Sequence, residues 1–197
     1  TGCGKTFTVL GEKSARARGD GGEEGIVPRS IRETFSLAQA MPSRDVRLRV
    51  SVLEIYRDTI HDLLVPSADR VSLQCREHTK YGFFVDGLEL LPCRNVEETL
   101  ASVVSSLRDR HTAAHAMNEK SSRSHAILTL HIDSLPRKPA KEGDSVATTP
   151  PTYGSTMFVD LAGSERPKET GSSGSTLREA GHINFSLFVL SSIMHIM

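Results

Sequence analysis

Apolar residues mark several strands along the chain. Val46 to Tyr56 begins with alternating apolar residues and ends in a nearly continuous apolar run, which is typical of a strand in a sheet covered by helices. His125 to Leu135 and Ser155 to Ala162 read as two further strands. Because the stretch between them, Pro136 to Gly154, is polar and rich in proline, the pattern predicts a hairpin with a long loop. Weaker strand patterns lie at residues 71–75 and 83–91.

Helical spacing of apolar residues appears between these strands. Glu97 to Arg110 is predicted to be an amphipathic helix whose apolar face carries Leu100, Val103, Val104 and Leu107. Other helices are predicted over residues 28–40 and 176–197, from Thr6 onward and, as a short one, over residues 58–64. The glycine-rich residues 11–25 predict a surface loop.

Composition narrows the class of protein. A chain of 197 residues with 38% hydrophobic residues is sufficient for one domain and short for two. We expect a soluble protein without membrane insertion, because no apolar span of about 20 residues occurs. Lys and Arg number 24 and balance 24 Asp and Glu, so no global charge favours nucleic acid, and binding to an acidic filament would need a local basic patch.

Cysteines and histidines add little chemistry. Cys3, Cys75 and Cys93 form no C-x-x-C pair, which is typical of free thiols in a reducing cytosol. His111 and His115 have a spacing that can bind zinc on a helix. Since the glutamate of H-E-x-x-H and a nearby third ligand are missing, we expect no zinc site there.

The chain opens with most of a phosphate-binding loop. Gly4, Lys5 and Thr6 match the end of G-x-x-x-x-G-K-[ST], in which backbone N–H groups surround phosphate oxygens, the lysine reaches the β- and γ-phosphates and the hydroxyl binds Mg²⁺. The alternative interpretation is a tight turn. Because the leading glycine of the pattern would precede residue 1 and no start methionine is present, we interpret the chain as a fragment.

Two more polar segments adjoin predicted strands. Asn118 to His125 reads N-E-K-S-S-R-S-H and leads into a strand, although a solvated turn is an alternative. Phe158 to Glu165 ends a buried strand in D-x-x-G, where Asp160 can hold a magnesium-bound water and the Gly163 N–H can meet a γ-phosphate. Alternatively, Asp160 is a helix or turn cap and Glu165 is surface charge.

In order and spacing, these blocks resemble a kinesin motor domain. Three further blocks, at residues 25–29, 50–64 and 177–187, agree with the same family, and the resemblance covers residues 1 to 197 apart from variable loops. It implies the α/β fold class and a P-loop NTPase kinesin motor fold, with a central, mostly β-sheet layer flanked by helices and truncated at both ends. Myosins and small GTPases share G-K-T and D-x-x-G but match the other blocks less well.

The resemblance implies that ATP and Mg²⁺ bind at the combined loops. It makes residues 1–6 a truncated P-loop, 118–125 the first switch, 160–178 the second switch and 176–197 the track-binding helix. The implied nucleotide contacts are Gly2, Cys3, Gly4, Lys5, Thr6, Phe7 and Asn118. The implied Mg²⁺ ligands are Thr6, Ser122 and, through a water, Asp160.

Catalysis, by the same resemblance, depends on closure of the two switches. Ser121 would close over the γ-phosphate beside Ser122, and the Gly163 N–H would sense that phosphate. Arg123 would form a salt bridge with Glu165 while ATP is hydrolysed, although a solvated cation is the alternative for Arg123. Water would be the nucleophile.

The implied partner is the microtubule, in the cytoplasm and on the cytoskeleton. Arg166, Lys168 and Arg178 would supply positive charge for acidic tubulin, although ordinary solvation also explains three cations. Phe185 replaces a lysine of the family's pattern and His115 replaces a threonine, and Cys3 stands where serine or alanine is commoner. These departures leave open a non-motile microtubule-binding or scaffolding paralogue, or a truncated product without turnover.

Other parts of a kinesin motor are expected outside these residues. These residues do not include the family's strands before the phosphate loop, its last track-binding elements or its neck. Dimerisation would use regions not present here. Because core strands are missing, we expect these 197 residues alone to be unstable or to aggregate. A monomeric product with a cooperative melting transition would contradict this expectation.

Overall fold

The computed structural model describes residues 4–11, 23–56, 58–80, 82–112, 124–137 and 150–162. Within these ranges, the helices are α1 (Lys5–Leu10), α2 (Ile26–Gln39) and α3 (Val96–Thr112). The strands are β1 (Arg44–Tyr56), β2 (Thr59–Asp62), β3 (Ser72–His78), β4 (Gly82–Asp86), β5 (Leu91–Cys93), β6 (His125–Pro136) and β7 (Thr152–Asp160). The predicted second-switch loop and the helix predicted over 176–197 lie outside the described residues.

One antiparallel sheet organises the described residues. Its strands follow the order β4-β3-β2-β1-β6-β7, and β5 pairs with β1. β1 and β6 pair along their length, from Arg44 opposite Pro136 to Ile55 opposite His125. β6 and β7 form the predicted hairpin, which ends with Ala126 opposite Asp160.

The core lies on one face of this sheet. Val50 and Val52 of β1 share that face with Ala126 and Leu128 of β6, because alternate residues of a strand point the same way. Helices α2 and α3 cover the face with four buried side chains, Val27, Ile31, Val103 and Leu107. The predicted apolar face of α3 is therefore confirmed for Val103 and Leu107, and Leu100 packs against the same core. No helix within the described part of the chain is both long and apolar enough to cross a membrane.

The helix predicted over residues 58–64 is wrong. Thr59–Asp62 forms β2, which returns antiparallel to β1 with Thr59 opposite Tyr56. Asp58 adopts φ 62, a left-handed conformation that Asp tolerates better than most residues and that suits a tight two-residue turn. Because pairing with the long β1 strand decides the local structure, helical propensity is overridden.

The strand predicted over residues 83–91 is wrong in its extent. The chain instead forms β4, which pairs with β3, turns at Gly87 with φ 77, and then forms β5, which pairs with β1. Asp62 stabilises this change of direction: its Oδ2 accepts from the Glu89 N–H at 2.7 Å and its Oδ1 accepts from the Leu64 N–H at 2.8 Å. A buried carboxylate bonded to two backbone amides thus fixes two loops at once.

Two glycines allow the end of α1 and the start of α2 to lie close together. Gly11 ends α1 with φ 85 and forms an isolated antiparallel bridge with Glu24, and Gly25 directly precedes α2. A Cβ on Gly25 would lie 2.5 Å from the backbone nitrogens of Gly11 and Leu10, so only glycine permits this approach. The start of α2 is therefore held against the end of the helix that follows the phosphate-binding loop.

Gly25→Ala is expected to lower the free energy of unfolding by about 1 to 3 kcal/mol, because backbone atoms must move to admit the methyl group. Urea unfolding measures the change. Gly154→Ala is the matched control, since a Cβ there meets nothing within 4 Å. Equal stability of the two variants would contradict the close approach.

Candidate active site

The candidate phosphate-binding loop leads into a helix and not into a tight turn. Gly4 adopts φ 76 in the left-handed region, and Lys5 begins α1. The Gly4 carbonyl accepts hydrogen bonds from the Thr8 N–H at 2.8 Å and from the Thr8 hydroxyl at 3.1 Å. Lys5 and Thr6 are both partly buried on the first turn, whereas Phe7 is exposed. A side chain at Gly4 would strain this turn because of its positive φ.

The predicted metal-binding hydroxyl and the predicted carboxylate lie together. The Thr6 hydroxyl donates a hydrogen bond to Asp160 Oδ2 at 3.0 Å, although the residues are 154 positions apart in the chain. Asp160 is the last residue of β7 and is buried. Oδ2 also accepts from Arg110, so the partners of this carboxylate among the described residues are two side chains. The capping alternative for Asp160 concerns backbone groups beyond Ala162, which lie outside the described residues.

Arg110 connects three elements beneath this carboxylate. Its side chain is 2% exposed, and its Nη1 lies 3.0 Å from Asp160 Oδ2. Its Nε donates to the Ser124 hydroxyl at 3.0 Å, and its Nη2 donates to the Ser124 carbonyl. Ser124 donates in turn to Glu54 Oε1 at 2.6 Å, and Glu54 Oε1 lies 3.6 Å from Arg110 Nε. We call Glu54, Arg110, Ser124 and Asp160 the buried polar network.

Strand register explains why these side chains meet. Glu54 pairs with Ala126, and Ala126 pairs with Asp160, so the three residues form one row across β1, β6 and β7. The two carboxylates flank the small side chain of Ala126, and the guanidinium of α3 reaches both. A larger residue at 126 would compete with Arg110 for this space.

The network fits a cation. Among the described residues, its two carboxylates outnumber its single guanidinium, which favours a further positive charge beside them. Asp160 Oδ1 is buried and has no hydrogen-bond partner among the described residues. Mg²⁺ prefers oxygen ligands and retains several waters, so the Thr6 hydroxyl could hold it directly and Asp160 Oδ1 could accept a hydrogen bond from a bound water. Within the described part of the chain, no group of three metal-binding side chains of the His, Cys, Asp and Glu type occurs.

Sequence reasoning missed three members of the network. Arg110 continues the spacing of Val103 and Leu107, and a cation on the buried stripe of a helix is a recognisable signal for a buried partner. Glu54 carries the same signal, because it follows Val50 and Val52 on the core face of β1. Ser124 gave no comparable signal within its serine-rich segment.

His125 borders the network and is buried. Its Nδ1 accepts a hydrogen bond from the Ala162 N–H at 3.1 Å. Burial lowers the pKa of His125, and the positive charge of Arg110 lowers this pKa further, against a smaller raising effect of Asp160. These effects favour a neutral imidazole at neutral pH.

The remaining predicted site residues lie outside the described residues. They comprise Gly2 and Cys3 of the phosphate-binding loop, Asn118, Ser121, Ser122 and Arg123 of the first switch, Gly163 and Glu165 of the second switch, and the candidate microtubule contacts Arg166, Lys168 and Arg178. The structure therefore brings together only Thr6 and Asp160 among the predicted metal-site residues.

The kinesin motor domain family model matches residues 1–197. This chain belongs to the kinesin motor family. Two relatives support this assignment to the family. The kinesin-like protein KLP1 of Chlamydomonas reinhardtii is 37% identical over 99% of this chain. The kinesin-like protein KIN-14E of Arabidopsis thaliana is 36% identical over 98% of it. The sequence-based recognition of the family is thus confirmed.

Solved kinesin structures confirm the predicted fold class. A KIF14 dimer in its two-heads-bound state, with AMP-PNP and in complex with a microtubule, matches 96% of this chain with a TM-score of 0.78 and 33% identity. The structure of a fast kinesin matches 93% of the chain with a TM-score of 0.76 and 34% identity. The chain spans about half of each solved chain, 50% and 48%, and 24% of KLP1 and 14% of KIN-14E.

Proposed function

We propose that this kinesin chain forms the nucleotide-binding centre of a microtubule motor that hydrolyses MgATP. The observation that carries the proposal is the pairing of Thr6 with Asp160, which has one buried carboxylate oxygen without a partner among the described residues. A hydroxyl and a carboxylate in this arrangement suit the Mg²⁺ site of a phosphate-binding loop. Bound Mg²⁺ would neutralise charge on the phosphates.

The described residues would act by position and charge. Lys5, at the start of α1, binds the β- and γ-phosphates. Arg110 holds the Asp160 carboxylate through Nη1, so that Asp160 would accept a hydrogen bond from a metal-bound water in a fixed direction. Ser124 and Glu54 hold Arg110 in turn. No strong general base is required, because phosphoryl transfer depends mainly on positioning and charge stabilisation.

Family resemblance supplies the roles of the other residues. Gly2, Cys3 and Phe7 line the nucleotide loop, Asn118 orients the nucleotide, and Ser122 is the second hydroxyl at Mg²⁺. Ser121 closes over the γ-phosphate, the Gly163 N–H senses it, and Arg123 pairs with Glu165 when the switches close. In this proposal, residues 1–6, 118–125 and 160–178 act as the truncated P-loop and the two switches.

The proposed partner is the microtubule, on the cytoskeleton. The helix over residues 176–197 would contact tubulin, with Arg166, Lys168 and Arg178 providing positive charge for its acidic surface. One sequence feature favours a second candidate function, a non-motile microtubule-binding protein: Phe185 stands where the family's pattern has a lysine. Loss of that cation bears on track binding more than on ATP chemistry.

The test compares the 197-residue chain with a version extended at both ends to the length of the solved kinesin motor chains. Binding of a fluorescent ATP analogue is measured with and without Mg²⁺, and ATP hydrolysis with and without microtubules. We expect the extended chain to bind the analogue in a Mg²⁺-dependent way and to hydrolyse ATP faster with microtubules. Microtubule binding without turnover would instead support the scaffold, and Phe185→Lys and His115→Thr would then be the first reversions to make.

A further inference from the structure

His125 lies beside the start of β6 and the end of β7. It is the first residue of β6, directly after Ser124, whose side chain is fully buried in the network. Its Nδ1 accepts from the N–H of Ala162, two residues beyond the end of β7. One side chain thus joins the end of the first-switch segment to the beginning of the second-switch segment.

This bond takes the place of strand pairing. The register of β6 and β7 ends at Ala126 opposite Asp160, and continued pairing would set Ser124 opposite Ala162. Ser124 is instead committed through its carbonyl and its hydroxyl to Arg110. The imidazole therefore satisfies the Ala162 N–H, which a buried backbone requires.

The hydrogen bond that Nδ1 accepts fixes the tautomer of the His125 ring. An imidazole nitrogen that accepts a hydrogen bond carries no proton, so the neutral ring must hold its proton on Nε2. The buried surroundings already described favour the neutral ring. His125 is therefore set to hold a backbone amide.

We propose that His125 is a positioning residue for the hydrolysis reaction: by holding the Ala162 N–H, it fixes the chain on the far side of Asp160 and keeps that carboxylate directed toward Thr6 and Arg110. Asp160 is then held from both sides, by the β6–β7 ladder before it and by His125 after it. This inference rests on the proposed ATPase function. It assigns His125 no contact with nucleotide or metal.

Positioning predicts an effect on turnover more than on nucleotide binding. Lys5 and Gly4 hold phosphates from α1, on a different element, so the KM for ATP should change less than about threefold when His125 is replaced. A displaced carboxylate should lower microtubule-stimulated kcat by about tenfold to a hundredfold. We expect this effect for His125→Gln, whose amide reaches the Nε2 position but not the Nδ1 position.

The conservative variant is His125→Asn in the extended chain. Its side-chain oxygen can occupy the place of Nδ1 and accept from Ala162, so kcat should stay within about threefold of the unchanged chain. His131→Gln is the matched control. His131 lies on the same strand and is also partly buried, but its ring contacts Ser51, with 3.4 Å between Nε2 and Oγ. Its replacement should leave kcat unchanged.

Two measurements by nuclear magnetic resonance do not depend on turnover. Nitrogen chemical shifts should show His125 protonated on Nε2 alone, and hydrogen exchange of the Ala162 amide should accelerate at least tenfold in His125→Gln but not in His125→Asn. A proton on Nδ1, or equal kcat in both variants, would overturn the inference while the proposed function stands. If the unchanged extended chain hydrolyses no ATP, the proposed function fails and the inference falls with it.

Discussion

Arg110→Met should lower the free energy of unfolding by about 3 to 5 kcal/mol. The guanidinium is 2% exposed, and its removal leaves the buried carboxylates of Glu54 and Asp160 without their common cation. Methionine preserves much of the side-chain volume, so the loss measures charge and hydrogen bonding more than packing. Urea unfolding of the extended chain gives the change.

Arg32→Met is the control for this prediction. Arg32 also pairs with a glutamate, Glu24, at 3.2 Å, but its side chain is 50% exposed. Exposed pairs contribute little, so this variant should change stability by less than about 1 kcal/mol. Equal effects of the two substitutions would contradict the buried network.

A second variant separates two effects of Arg110→Met, the uncompensated charge of the carboxylates and the loss of the hydrogen bonds of Arg110. Glu54→Gln removes one carboxylate charge and keeps an oxygen that can accept from Ser124. If excess negative charge destabilises Arg110→Met, adding Glu54→Gln should recover about 1 to 3 kcal/mol of the loss. Simple additivity of the two losses would mean that Glu54 and Arg110 do not interact.

Predictability from sequence differed between long and short elements. The long strands and the α3 helix were predictable because their apolar residues repeat over many positions and bury a continuous face. β2 was predicted as a helix because its four residues, Thr59–Asp62, are too few to show whether apolar residues recur with the spacing of a helix or of a strand. Its structure depends on pairing with β1, which is a tertiary effect.

The candidate site shows a similar division. Thr6 and Asp160 could be predicted because each belongs to a local motif whose spacing carries the chemistry. Arg110 and Glu54 could not be placed in the site, because their meeting depends on the register that sets Glu54, Ala126 and Asp160 in one row. Each appeared in the sequence only as a charge within an apolar stripe.

Lys5→Ala should lower kcat/KM for microtubule-stimulated ATP hydrolysis by about 10²- to 10³-fold, because it removes the cation that we propose to bind the β- and γ-phosphates. Stability should change by less than about 1 kcal/mol, since Lys5 is only partly buried and alanine suits a helix. Steady-state kinetics and urea unfolding of the extended chain measure both effects.

Arg47→Ala is the control for the loss of a positive charge. Arg47 lies on β1 with its side chain 65% exposed and pairs with Asp45, and its replacement should leave hydrolysis unchanged. Lys5→Arg tests geometry at constant charge: the planar guanidinium does not reproduce the compact ammonium group, so activity should stay well below that of the unchanged chain. Full activity of Lys5→Ala would exclude this loop from phosphate binding, whereas equal losses in Lys5→Ala and Arg47→Ala would point to overall charge. A loss confined to position 5 therefore locates the γ-phosphate at the start of α1, on the Thr6 side of the buried polar network.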